Sequence, residues 1–298
     1  MLGAANSCCN MTTPSAYNED AEKEYMPSRW TIGLQGASRM QRFRHICNMQ
    51  NEYARTTSPV ECVPFGTDER QALNVMRCPV QGGEDVVLVY VHGGFWIEGN
   101  RHNYNFVAVG AHREGVSAVI VGYRLASRAA ELNNCIDDVR TGLATVQKMF
   151  PTSNIILVGH SAGAHLLLSA LPRLNTLKGF SKIFAVSGIY SLRELMSTSV
   201  GVQLGLTVDQ ADKYSIAPHP SYSKVDIHFV AGQFDPPKFL LQARELAGQL
   251  QTVDGVNRPV RVLLNEDHFS LIENLFYSDG SLTKYIVQHI GQDTKRNS

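Results

Sequence analysis

No excess charge of either sign marks this chain, in which 27 basic side chains offset 27 acidic ones. Without a basic stripe there is no footprint for a phosphate backbone, so nucleic-acid binding is not expected. Long apolar runs are also missing. None approaches the ~18 residues needed to span a bilayer, and no basic stretch followed by an apolar core opens the sequence. Neither a membrane span nor a secretory leader is therefore expected. Six cysteines in 298 residues are too few for a disulfide framework. Cys8, Cys9, Cys47, Cys62, Cys78 and Cys135 lack the paired spacing of a metal site, so no metal is expected, and free thiols in a reducing cytoplasm are the default. The adjacent Cys8-Cys9 pair has neither a myristoylation glycine nor a polybasic patch to support acylation.

What is present is a series of apolar runs separated by helical patterns. Residues 1–20 are polar and aperiodic and read as a disordered tail, leaving 21–298 as one domain. Glu22 to Arg55 is loosely helical. Cys62 to Phe65 and Ala72 to Arg77 read as short strands around a Gly66-Thr67-Asp68 turn, an antiparallel start. Val86 to Val91, Ala118 to Tyr123, Ile155 to Val158, Ile183 to Val186, Ile227 to Ala231 and Val260 to Leu264 follow. Continuous rather than alternating apolar runs suit parallel strands buried on both faces. Between them, Ile136, Val139, Leu143 and Val146 recur at helical spacing, as do the apolar residues after Ser161 and from Phe239 to Leu250. This order predicts an α/β fold: a mostly parallel, doubly wound sheet with an antiparallel N-terminal edge. The irregular stretch 188–224 is the natural place for a small cap.

Chemistry concentrates at Gly159-His160-Ser161-Ala162-Gly163, where an apolar strand meets a helix-compatible segment. The pentapeptide alone is a weak signal. Its setting is the one a nucleophile elbow requires, a strand, a strained turn carrying the serine, then a helix. A serine nucleophile needs a base and a group that orients the base, and in this arrangement the chain order is serine, acid, histidine. Asp235 follows the Ile227 run and His268 follows the Val260 run, so both fill the open roles by position. Asp267 competes with Asp235 but adjoins His268, and Asp254 lies beyond the following helical pattern. His160 and His165 are better placed to pack around the elbow than to act as base. His92-Gly93-Gly94-Phe95-Trp96, after the valine-rich run, supplies a turn whose backbone N–H groups can approach a substrate oxygen. Gly93 and Gly94, with the N–H of Ala162, are the candidate oxyanion hole. The residues alone thus predict a serine hydrolase acting on an ester or activated amide, with no metal or organic cofactor.

The same motifs resemble the kynurenine formamidases (arylformamidases) of the α/β-hydrolase fold. The resemblance runs from Glu24-Tyr25-Met26-Pro27-Ser28-Arg29-Trp30 to about Leu275. It includes the His92–Trp96 turn, the Ser161 elbow through Leu166, Gly232-Gln233-Phe234-Asp235 and Asp267-His268-Phe269. Ala126-Ser127 departs from it, where a proline would be expected. The resemblance implies a triad at Ser161, Asp235 and His268 and an oxyanion turn at Gly93 and Gly94. It further implies hydrolysis of N-formyl-L-kynurenine to L-kynurenine and formate in tryptophan catabolism. A formyl carbon bears only hydrogen, so Phe95 and Trp96 are expected to wall a tight acyl pocket. Arg101 and His102 are candidates to meet the substrate carboxylate, against the plainer reading as solvated loop cations. A carboxylesterase for small aryl or acyl esters and, in another class, a catalytically inactive α/β-hydrolase serving as a binding protein stay open. The expected partner is a small-molecule substrate, without nucleic acid or membrane, and a homodimer is compatible with the sequence.

Overall fold

A computed structural model describes residues 17–80 and 85–294. Eight strands form one sheet: β1 (Glu61–Pro64), β2 (Ala72–Met76), β3 (Val86–Val91), β4 (Ser117–Val121), β5 (Asn154–His160), β6 (Phe180–Val186), β7 (Asp226–Phe234) and β8 (Arg261–Asp267). Their spatial order is β1-β2-β4-β3-β5-β6-β7-β8. β1 and β2 pair antiparallel, as do β2 and β4, and every later pairing is parallel. The helices are α1 (Glu19–Tyr25), α2 (Gly36–Thr57), α3 (Val107–Arg113), α4 (Leu132–Met149), α5 (Ala162–Ala170), α6 (Ser199–Leu204), α7 (Val208–Tyr214), α8 (Pro237–Asp254), α9 (Ser270–Glu273) and α10 (Ser281–Thr294).

Alternate residues of the central strands feed two separate cores. Val87, Val89 and Val91 of β3 pack with Ile136, Val139 and Leu143 of α4, Leu166 and Leu167 of α5 and Phe239 of α8. Leu88 and Tyr90 of the same strand face Cys47 of α2, Val107 of α3 and Leu282 and Ile286 of α10. A strand buried on both faces has no polar side to alternate with, hence the unbroken apolar runs. Each such side chain contributes about 1.5–3 kcal/mol when fully buried.

The expected tail at 1–20 lies almost wholly outside the described residues. Its described end is already ordered, since the Asn18 side chain caps α1. Cys8 and Cys9 also lie outside them. Cys47, Cys62, Cys78 and Cys135 are unpaired thiols. Segment 188–224 folds into α6, α7 and short 3-10 turns between β6 and β7. Among the described residues no helix is long and apolar enough to cross a membrane. Because β3 and β5 to β8 run parallel, their carboxyl ends share one edge of the sheet, and in such sheets that edge is where ligand sites form.

Candidate active site

Ser161 follows β5 and caps α5 with a left-handed backbone, φ +55°. Its N–H donates to Val186 O at 2.8 Å, which holds the strained residue against β6. The elbow needs glycine behind it. A Cβ on Gly163 would come within 2.1 Å of Val91 O, so the helix could not seat on β3. Gly93 meets the serine from the other side, where an added Cβ would lie 2.9 Å from Ser161 Cβ and 3.0 Å from His160 O. The turn after β3 therefore sits directly against the serine.

Asp235 follows β7 and His268 follows β8. His268 Nδ1 donates to Asp235 Oδ1 at 2.7 Å, with both side chains buried. The other carboxylate oxygen of Asp235 accepts from the Gly232 N–H at 2.7 Å and from Ser187 Oγ at 2.5 Å. Ser187 directly follows β6 with φ +49°, another strained residue at this edge. Sequence reading missed it. The available signal was a polar residue at the carboxyl end of a buried parallel strand.

The competing carboxylate, Asp267, turns the other way. It accepts from Arg39 of α2 at 3.0 and 3.3 Å, and Arg39 also donates to Glu273 at 2.7 Å. Burial alone would raise the Asp267 carboxyl, but Arg39 and the N–H groups of Ser270 and Phe269 hold it below its ordinary value. This buried cluster ties α2 to the loop carrying His268.

Ser161 and His268 open into one cleft of about 540 Å³. Gly93, Gly94 and Phe95 line it from the turn, and Met40, Phe43 and Cys47 from α2. Of segment 188–224, Val200 reaches the cleft. One wall is thus built by the N-terminal region, from Met26 to Asn48, to which sequence reading gave no role. Ala162 is fully buried as the first residue of α5, where a helical N–H has no partner within its own helix.

Two expected positions are corrected. Trp96 does not wall the cleft. It is fully buried, its indole N–H donating to His165 Nδ1 at 3.2 Å. Left-handed backbone at Phe95 and Trp96, φ +48° and +65°, sends the first ring to the cleft and the second to the core. Arg101 is neither a substrate contact nor a solvated cation. It is buried, bonded to Asn74 Oδ1 at 3.0 Å and Glu69 O at 2.7 Å, and its neighbour His102 pairs with Asn74.

Three buried histidines surround the elbow. Burial lowers His92 and His165 to about 4. Burial, with His268 beside it at a ring separation of 4.3 Å, drives His160 well below its ordinary value. The unfolded chain binds these protons near pH 6.5 and the folded chain does not, so stability falls as the pH drops from 6.5 toward 4. His92 and His165 would each account for roughly 3 kcal/mol of that loss when complete. Thermal melts from pH 7 to 4 are expected to show a falling Tm, with a shallower slope for His165→Gln. A flat Tm across this range would rule out buried neutral imidazoles.

The fold and site define a class first. A family profile of the α/β-hydrolase fold matches residues 88–217. Among solved structures, a candidate thioesterase from Silicibacter sp. TM1040 superposes with TM-score 0.73 at 21% identity, covering 89% of this chain and 98% of that one. An esterase from Pyrobaculum calidifontis gives 0.61 at 18% identity, covering 86% and 92%. Curated relatives narrow the class. A kynurenine formamidase of Danio rerio is 31% identical over 93% of this chain and 98% of its own length. One of Salmo salar is 30% identical over 92% and 97%. The chain belongs to the kynurenine formamidase family of α/β-hydrolases and is an arylformamidase, a hydrolase acting on amides.

Proposed function

We propose that this chain hydrolyses N-formyl-L-kynurenine to L-kynurenine and formate through Ser161, His268 and Asp235. The observation that carries the reading is the buried His268 Nδ1–Asp235 Oδ1 bond in a cleft shared with Ser161 and Gly93. With Nδ1 engaged, His268 Nε2 is the nitrogen free to act as base. Ser161 Oγ attacks the formyl carbon and its proton passes to Nε2. N–H groups of Gly93, Gly94 and Ala162 receive the charge developing on the carbonyl oxygen. The C–N bond breaks, the leaving aryl amine takes the proton from Nε2, and a formyl ester remains on Ser161. Water then attacks that ester, His268 accepts its proton and returns it to Ser161 Oγ, and formate leaves. Ser187 and the Gly232 N–H hold the second Asp235 oxygen, so the carboxylate keeps its orientation while the imidazole charges.

The same reading takes 21–298 as one domain with 188–224 as a cap that touches the cleft at Val200. The unpaired thiols support a cytoplasmic location.

With Trp96 in the core, Phe95 is the aromatic wall of the acyl pocket. Each methylene forced into such a site costs roughly 1–3 kcal/mol. Formyl anilides are therefore expected to be cleaved far faster than acetyl ones, and butyryl ones hardly at all. Phe95→Ala should narrow the formyl-to-butyryl gap. The deciding measurement is kcat/KM for N-formyl-L-kynurenine beside p-nitrophenyl acetate and the anilide series. A preference for butyryl substrates would replace the formamidase reading with a carboxylesterase. Failure to label with a fluorophosphonate would point to an inactive binding protein.

A further inference from the structure

We propose that Arg44 and Glu98 form a subsite for the zwitterionic α-amino-acid group of the substrate, at the mouth of the cleft. The proposal rests on the formamide-hydrolase reading above and adds what recognises the far end of the molecule. Among the described lining residues, these two alone carry full charge at neutral pH, histidines aside. They bear opposite signs and come from different elements, Arg44 from α2 and Glu98 from the turn that carries Gly93 and Gly94.

Exposure orders the cleft by depth. Ser161 and His268 are buried at 2% and 4%, and Phe43 and Phe95 are half-buried. The Arg44 and Glu98 side chains are 65% and 53% exposed. A reactive carbonyl at the bottom, an aryl ring against Phe43 and a charged tail at the mouth match that order. The Glu98 N–H donates to Gly94 O at 3.0 Å, which fixes its position relative to the oxyanion turn.

The pair is loose. Arg44 Nη2 and Glu98 Oε2 are 3.9 Å apart, and neither forms another ion pair among the described residues. Exposed pairs of this kind hold together weakly, so each partner can exchange the other for a ligand charge at little cost. The guanidinium fork suits a carboxylate, and the carboxylate of Glu98 suits an ammonium. A zwitterion satisfies both together. A tail with one charge meets one partner and is repelled by the other. Arg101, the sequence's candidate for the carboxylate, is spent in the core, which leaves Arg44 as the cation the cleft offers.

The test compares two formamides with the same aryl core, N-formyl-L-kynurenine and 2-formamidoacetophenone, which lacks the amino-acid tail. Full-length wild type, Arg44→Gln and Glu98→Gln are assayed on both. Each variant should lose at least about tenfold more kcat/KM on the zwitterionic substrate than on the tail-less one, mainly through KM, the scale of one charge contact. Glu98→Gln should also improve the ratio for the deaminated, carboxylate-only analogue. Parallel losses on both formamides, or no loss on either, would overturn the subsite and leave the formamidase reading standing. Wild type that cleaves neither formamide would overturn the reading itself, and the subsite with it.

Discussion

Ser161→Ala is expected to fold normally and to lose about 10³-fold or more of kcat on every substrate, because the members of the proposed triad would act as a unit. The substitution is clean for a structural reason. Ser161 already holds φ +55° through its glycine neighbours and its N–H bond to Val186 O. Alanine meets the same backbone cost as serine and removes only the Oγ. Any activity left would report the oxyanion turn and binding alone. The check is single-turnover kinetics with fluorophosphonate labelling, on protein whose Tm matches wild type. Near-wild-type turnover would end the proposal of a serine nucleophile.

Asp235→Asn carries the second large effect, about 10⁴-fold in kcat by analogy with the protease triad. The amide can present its NH₂ to His268 Nδ1, and the imidazole then moves its proton to Nε2, the atom proposed to accept one from Ser161. Asp267→Asn should behave differently, and the structure sharpens why. Asp267 does not touch His268 Nδ1; it is the buried partner of Arg39. Removing its charge leaves Arg39 with Glu273 alone and should cost on the order of 3 kcal/mol of stability. Its kcat per folded molecule should fall far less than that of Asp235→Asn. Parallel denaturant melts and kinetics of the two variants separate the cases, and the reverse ranking would move the acid role to Asp267.

How much of this was legible in the sequence depended on the range of the interaction. Val86 to Val91 was read end for end as β3, and the runs behind β4 to β8 were placed to within a few residues. A strand buried on both faces must be apolar throughout, so its signal is local. That Asp235 and His268 meet could be read ahead because parallel strands deliver their carboxyl ends to one edge, which turns chain order into proximity. Trp96 and Arg101 were misplaced because a side chain's direction is not local in that sense. At Trp96 a left-handed backbone carries the ring inward to His165, 69 residues away in the chain. Arg101 is drawn into the core by Asn74, a buried amide in an otherwise apolar strand.

The sequence by itself determined the sheet, the elbow and the order of candidate groups along its edge, since periodicity, glycine placement and chain order are properties of neighbouring residues. Tertiary structure alone decided which groups meet. It set Ser187 against Asp235 across 48 residues and Arg39 against Asp267 across 228. It also laid α2 along the cleft, bringing Arg44 to Glu98. Such contacts are selected by the burial of whole faces and by the need of each buried charge for a partner, and neither condition can be evaluated until the chain has closed on itself.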